Sequence, residues 1–263
     1  MIIAKILTIT LLAAGVLQAQ PVAVRYTEGL VHGFLALRTL GGSLVASGEL
    51  LQKARGSEVT SRLVFYYKDG SLHDDTAVFS QNGTFRLISD HLIQKGPSFK
   101  HPIDLKIDAA SGEVTVRYQD DHGKEKVTTD HMELGPDLAN GMVPILLKNT
   151  APETQKLTLS MVVATPKPMI VKLNITNDGE DRFTAGGAGH KARRYDVKVD
   201  IGGLKGVVAE VIGKQPPDTF VWILGGEVPT FVRSEGPQSA SSPVLRLELT
   251  SPTFPRNPPP AKK

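Results

Sequence analysis

Val59 to Gln94 reads "VTSRLVFYYKDGSLHDDTAVFSQNGTFRLISDHLIQ", three runs of mixed apolar and polar residues separated by Asp69-Gly70 and Asn82-Gly83. Alternation with a period of two is the pattern of a half-buried strand, and Asp-Gly and Asn-Gly are the dipeptides that two-residue hairpin turns demand. Three antiparallel strands in sequence are therefore expected here.

The same grammar extends in both directions. Upstream, Leu30 to Arg38 and Leu44 to Gln52 alternate; downstream, Ile103 to Asp108, Glu113 to Gln119 and Lys126 to Glu133 follow, with turns at Ser111-Gly112 and His122-Gly123. Further strands are expected at Lys156 to Ala164, Met169 to Asn177, Arg194 to Ile201, Val207 to Ile212, Phe220 to Leu224, Thr230 to Ser234 and Val244 to Thr250, with Asp178-Gly179 closing a hairpin. "GPDLANGMVPILLKN", Gly135 to Asn149, lacks period two and suits one or two helical turns, with Gly141 and Pro144 forbidding a long helix. The fold class is all-β: a long antiparallel meander forming a curved sheet, a half-barrel or a partly open barrel, with one short mid-chain helical segment.

"GKQPPDTFVWILGGEVPTF", Gly213 to Phe231, holds the only tryptophan. Phe220, Trp222 and Leu224 share one face of a strand and Val221 and Ile223 the other, so burial on both sides is expected. Pro216-Pro217-Asp218 and Gly225-Gly226 bound that strand, Asp218 and Glu227 read as turn residues, and the indole N–H will need an acceptor inside the fold.

Lys5, the apolar segment Ile6 to Val16 and the small residue Ala19 have the layout of an export signal over residues 1–19. About 244 residues then remain, enough for one β domain over 20–250, divisible into halves at 20–150 and 151–250. A bilayer-spanning helix needs about 20 apolar residues, and no such run follows the leader. "SPTFPRNPPPAKK", residues 251–263, carries five prolines and is expected to be an extended, disordered tail. The expected location is periplasmic or secreted.

The chain has no cysteine, which removes disulfides, thiolate zinc sites and cysteine nucleophiles. A net charge of +3 and 6% aromatics, with basic and acidic residues interspersed, give no basic groove or stacking platform for nucleic acid. No serine sits in a nucleophile elbow, and no paired histidines mark a zinc hydrolase. The balance leans away from an enzyme, with a hydrolase of unknown type as the third reading, and no cofactor is implied.

Two-residue turns at Asp69-Gly70 and Asn82-Gly83 would place Phe65 opposite Asp74 and Asp74 opposite His91. Thr76, Ser89, Phe65 and Phe85 would share that largely apolar face. Asp74, His91, Thr76, Ser89, Phe65 and Phe85 are thus the candidate ligand-binding set, few polar groups among apolar ones being the usual makeup of a small-ligand site. The opposite face would carry His73, Asp75 and Asp90, the two carboxylates directly opposed; three donors without loop spacing are better explained by a solvated outer face than by a metal. "AGGAGHKARR", Ala185 to Arg194, offers a weaker anion cradle in His190, Lys191, Arg193 and Arg194, against the simpler reading of a hairpin with a solvated basic strand.

The pairing of "LGPDLANGM", Leu134 to Met142, with "GKQPPDTFVWILGGE", Gly213 to Glu227, resembles uncharacterised secreted β-rich proteins of bacteria. In plan, a meander interrupted by one short helical segment is also similar to periplasmic half-barrel carriers, which enclose lipophilic ligands between a curved sheet and a helical cover. That similarity implies an exported, non-enzymatic β protein binding a lipophilic small molecule or an envelope component. The alternative is a structural or interaction module that assembles envelope proteins.

Overall fold

The computed structural model describes residues 21–120, 122–163, 167–185, 188–201, 216–239 and 242–250. The expected leader, the expected strand Val207 to Ile212 and the proline-rich ending lie outside the described residues.

Fourteen strands are formed among the described residues: β1 (Val31–Thr39), β2 (Leu44–Arg55), β3 (Glu58–Tyr67), β4 (Leu72–Asn82), β5 (Thr84–Lys95), β6 (Ile103–Asp108), β7 (Glu113–Gln119), β8 (Glu125–His131), β9 (Lys156–Val163), β10 (Met169–Ala185), β11 (Ala188–Asp200), β12 (Thr219–Leu224), β13 (Thr230–Pro237) and β14 (Val244–Thr250). They make one antiparallel sheet in the order β8-β7-β6-β5-β4-β3-β2-β1-β14-β13-β12-β11-β10-β9. The helix α1 (Val143–Asn149) begins with Pro144 in its first turn, where a missing N–H costs nothing, and ends on the basic Lys148.

The sheet is curved and not closed. Phe79, Phe85, Ile107 and Val116 on one wing share a core cluster with Leu159, Leu173, Tyr195 and Ile223 on the other, although many strands separate them in the sheet. Leu138, Met142, Ile145, Leu146 and Leu147 from the α1 segment complete that cluster. A smaller cluster under β1, β2, β3 and β14 contains Leu35, Leu37, Phe65, Tyr67, Phe99 and Leu247.

The N-terminal segment and α1 are tied down by polar groups. The Glu28 carboxylate, almost fully buried, accepts from Lys148 Nζ at 2.7 and 3.0 Å and from Gln52 Nε2 at 2.8 Å. Asn149 Oδ1 accepts the backbone N–H of Arg25 at 2.9 Å and of Tyr26 at 2.7 Å. Asn140 imitates a strand backbone: its side chain accepts from Val162 N and donates to Val162 O, both at 2.9 Å, along the outer edge of β9.

Three turns depart from the sequence expectation; at the β4–β5 turn Asn82 pairs with Thr84, so Gly83 alone, at φ +72°, separates the strands in place of the two-residue Asn82-Gly83 turn. Tyr67 N donates to Ser71 O at 2.9 Å and Gly70 N to Tyr67 O at 3.1 Å, so three residues, Lys68 to Gly70, make the β3–β4 turn, with Gly70 at φ +84°. The chain does not turn at Asp178-Gly179 either. A bulge between Asn177 and Glu180 absorbs that glycine, and β10 stays paired with β11 as far as Ala185 opposite Ala188.

Candidate functional site on the concave face

The three-residue turn slips β4 by one position against β3. Phe65 faces His73 rather than Asp74, and a one-residue slip turns every side chain of a strand to the other face. Two further irregularities, the β4–β5 turn at Gly83 and the bulge between Val78 and Phe79, each shift β5 by one residue, so that Thr76 faces His91 and Asp74 faces Ile93.

The expected ligand-binding set is therefore divided. Asp74 lies on the outer face in a bidentate pair with Arg62, at 2.8 and 2.6 Å, and that guanidinium holds its carboxyl below the usual range. His91 Nε2 contacts Asp104 Oδ1 at 2.9 Å on the same face. Thr76 sits opposite His91, and Ser89 opposite Val78. Phe65 and Phe85 point inward but into different clusters: Phe65 packs against the opposed Gly48 and lies 6.0 Å from the His73 ring, whereas Phe85 stacks at 5.9 Å on Phe79. The six side chains do not converge on one concavity.

The basic cluster is also dispersed, because alternation sends neighbouring residues to opposite faces. Lys191 pairs with Glu180 at 3.2 Å, Arg193 donates to the Tyr195 hydroxyl at 3.2 Å, and Arg194 pairs with Asp178 at 2.6 Å; His190 is exposed opposite Phe183.

The face expected to be solvated is the inner one. Moving across β1 to β6, opposed residues form the row Gly33, Leu50, Leu63, Asp75, Leu92, Leu105. The next row reads Gln52, Ser61, Ala77, Asp90, Ile107. Asp75 and Asp90 are hence diagonal neighbours on the concave side, not direct opposites. One oxygen of each, Oδ1, is buried without a hydrogen-bond partner. Desolvation pushes the Asp75 carboxyl up to about 6 despite a hydrogen bond from Asp90, and burial next to Asp75 pushes Asp90 well above its ordinary value. Both carboxyls are thus shifted towards the protonated form by the same enclosure.

Gly141 closes over the pair. It adopts φ +64°, and a Cβ there would stand 2.6 Å from the Ala77 methyl and 3.0 Å from Asp90 Oδ1, so only glycine brings this backbone so near. His73, next along β4, is also buried; desolvation lowers its pKa to about 4, and Gln94 Nε2 donates to its Nδ1 at 3.0 Å and to Gln238 O at 2.7 Å. The ring is neutral. Among the described residues no three His, Asp or Glu side chains are placed to hold a metal ion.

Around this polar centre the concave face is apolar and incompletely covered. Inward-facing Leu50, Leu63, Leu92 and Phe231 are only half-buried, while Leu249, opposite the inward Leu35, is 41% exposed and Val31, opposite the inward Gln52, is 36% exposed. Phe231 packs against both core clusters, which places this surface along the seam between them.

No protein-family model matches the chain, and no curated protein matches it. Among solved structures it is similar to a beta-barrel-like protein of the domain of unknown function DUF1849 from Brucella abortus. The identity is 8% and the TM-score 0.43, over 86% of this chain and 98% of that one. No helix among the described residues is long and apolar enough to cross a membrane.

Trp222 lies on the outer face of β12, 8% exposed, and its Nε1 donates to Asp181 Oδ2 at 2.8 Å. Arg233 is stacked 5.7 Å from both the Trp222 and the Phe183 rings, so the distal part of β10 reaches across the face of β12 and β13. Sequence reasoning located this strand and the need for an acceptor, but nothing in it pointed to Asp181. It also passed over the inward leucine row, because the assumed turn placed Asp75 outside.

Proposed function

We propose that the protein is an exported, non-enzymatic binder of an apolar ligand, held against the concave face along the seam between the two core clusters. The observation that carries this reading is the set of half-buried leucines, Leu50, Leu63 and Leu92, together with Phe231 and Leu249, on the inner side of a curved sheet. Inward apolar residues in a filled fold are covered by their neighbours; here the covering is incomplete, and an apolar occupant completes it. The raised pKa values of Asp75 and Asp90 suit such an occupant, since full charge on both carboxyls at the back of the surface would resist desolvation. Export rests on Lys5, the apolar run Ile6 to Val16 and Ala19.

Native mass spectrometry of protein purified from its own host, followed by solvent extraction, tests the reading together with titration of a fluorescent fatty-acid probe. A stoichiometric lipophilic adduct and probe binding are expected, with Leu63→Arg abolishing both while far-ultraviolet circular dichroism is unchanged. A clean apo mass with no probe binding overturns it. Probe binding that survives Leu63→Arg places the site elsewhere and overturns the assignment to this surface.

A further inference from the structure

A fourteen-stranded open sheet has two edges, and they are treated differently. The β9 edge is occupied: Ser160 N donates to Asp137 O at 3.1 Å, Ala139 N to Ser160 O at 2.9 Å, and Asn140 satisfies Val162. The β8 edge has no strand beside it among the described residues, and Val127 on it is 53% exposed. Which backbone groups it presents follows from its neighbour. Met132 N donates inward to Gly112 O, so even-numbered residues point to β7 and the N–H and C=O groups of Glu125, Val127, Thr129 and His131 point outward. His131 N reaches only the Asp130 side chain.

We propose that β8 is the docking edge of a symmetric dimer of this chain. The sequence of β8 is complementary to itself when run antiparallel about Thr128: Glu125 meets His131, Lys126 meets Asp130, Val127 meets Thr129, and Thr128 meets its own copy. This register also satisfies the backbone. Glu125, Val127, Thr129 and His131 are the residues with outward groups, and each meets another member of that set, giving about eight hydrogen bonds at two per pair. Lys126 and Asp130 lie on the same side of the sheet as the buried Val114 and Val116, so two Lys–Asp pairs related by the two-fold axis flank the centre. An isologous contact of this kind closes after two copies and cannot propagate. Lys126 already touches Asp120 at 3.7 Å, a loose exposed contact that is readily exchanged.

Sedimentation velocity of the full chain over a range of concentrations and salt tests the dimer. Wild-type protein is expected to dimerise, more weakly at high salt. Val127→Pro removes only an outward N–H and leaves the β7 pairing intact, so a folded monomer is expected. Lys126→Asp sets like charges opposite each other and is expected to raise the dimer dissociation constant about tenfold. Adding Asp130→Lys to that variant restores opposite charges and is expected to recover wild-type association within about threefold. A protein that stays monomeric at every concentration overturns the proposal, as does a dimer indifferent to Val127→Pro or a charge swap without rescue. Pairing of β8 with a foreign strand in place of a second copy also overturns it.

Discussion

Asp75 and Asp90 lie diagonally across β4 and β5 under the backbone of Gly141, two enclosed carboxyl groups whose pKa values are both raised by burial. The folded chain therefore binds protons here more tightly than the unfolded chain does. The resulting stabilisation is fully present below the ordinary carboxylate pKa and is lost as pH rises through about 6 and beyond. His73 acts in the opposite sense, since its folded value is lowered to about 4: its contribution is present above 6.5 and is lost as pH falls towards 4. Asp90→Asn is expected to stabilise the protein by about 1–3 kcal/mol above pH 7 and to lose that advantage near pH 4, as read from urea unfolding across pH. An advantage that is constant with pH would show that the Asp90 carboxyl is not raised by its burial.

Glu28 and Lys148 join the segment before β1 to the last turn of α1 and are largely shielded from water. Glu28→Ala leaves the Lys148 ammonium without its counter-charge and Gln52 Nε2 without its carboxylate acceptor, and a loss of about 3–5 kcal/mol is expected in chemical unfolding. Replacing both partners, Glu28→Gln with Lys148→Met, is expected to cost less than Glu28→Ala alone, because no charge is then stranded. A double variant worse than the single one would contradict this account.

The indole of Trp222 reports on the β10–β12 contact. Asp181→Ala removes the acceptor for Nε1 and is expected to cost about 1 kcal/mol and to shift tryptophan emission in the folded state. The chain has a single tryptophan, so the signal is unambiguous. Unchanged emission would mean that the indole finds another acceptor.

Much of the fold was legible in the sequence because strand alternation and turn dipeptides are local signals. Most strands and the helical turns near Val143 follow from them. The face assignment of β4 did not, for a definite reason: Asp69-Gly70 is compatible with a two-residue or a three-residue turn, and the choice inverts every side chain after it. His73, Asp75 and Ala77 thereby exchanged places with Asp74 and Thr76. The anchoring roles of Glu28, Asn140 and Asn149 were equally out of reach, since their partners lie far away in sequence and carry no local signature.

Of the thirteen strand pairings, twelve join strands consecutive among the described elements, and β1 with β14 is the exception. Each wing of the sheet can thus be assembled from neighbours, whereas uniting the wings means bringing Leu37 to Leu247 across most of the chain. Loop-closure entropy is concentrated in that one seam. Val31 and Leu249, the most exposed inward apolar residues of the concave surface, lie on the two strands that this seam joins, so the last part of the sheet to zip together borders the surface that would receive a ligand.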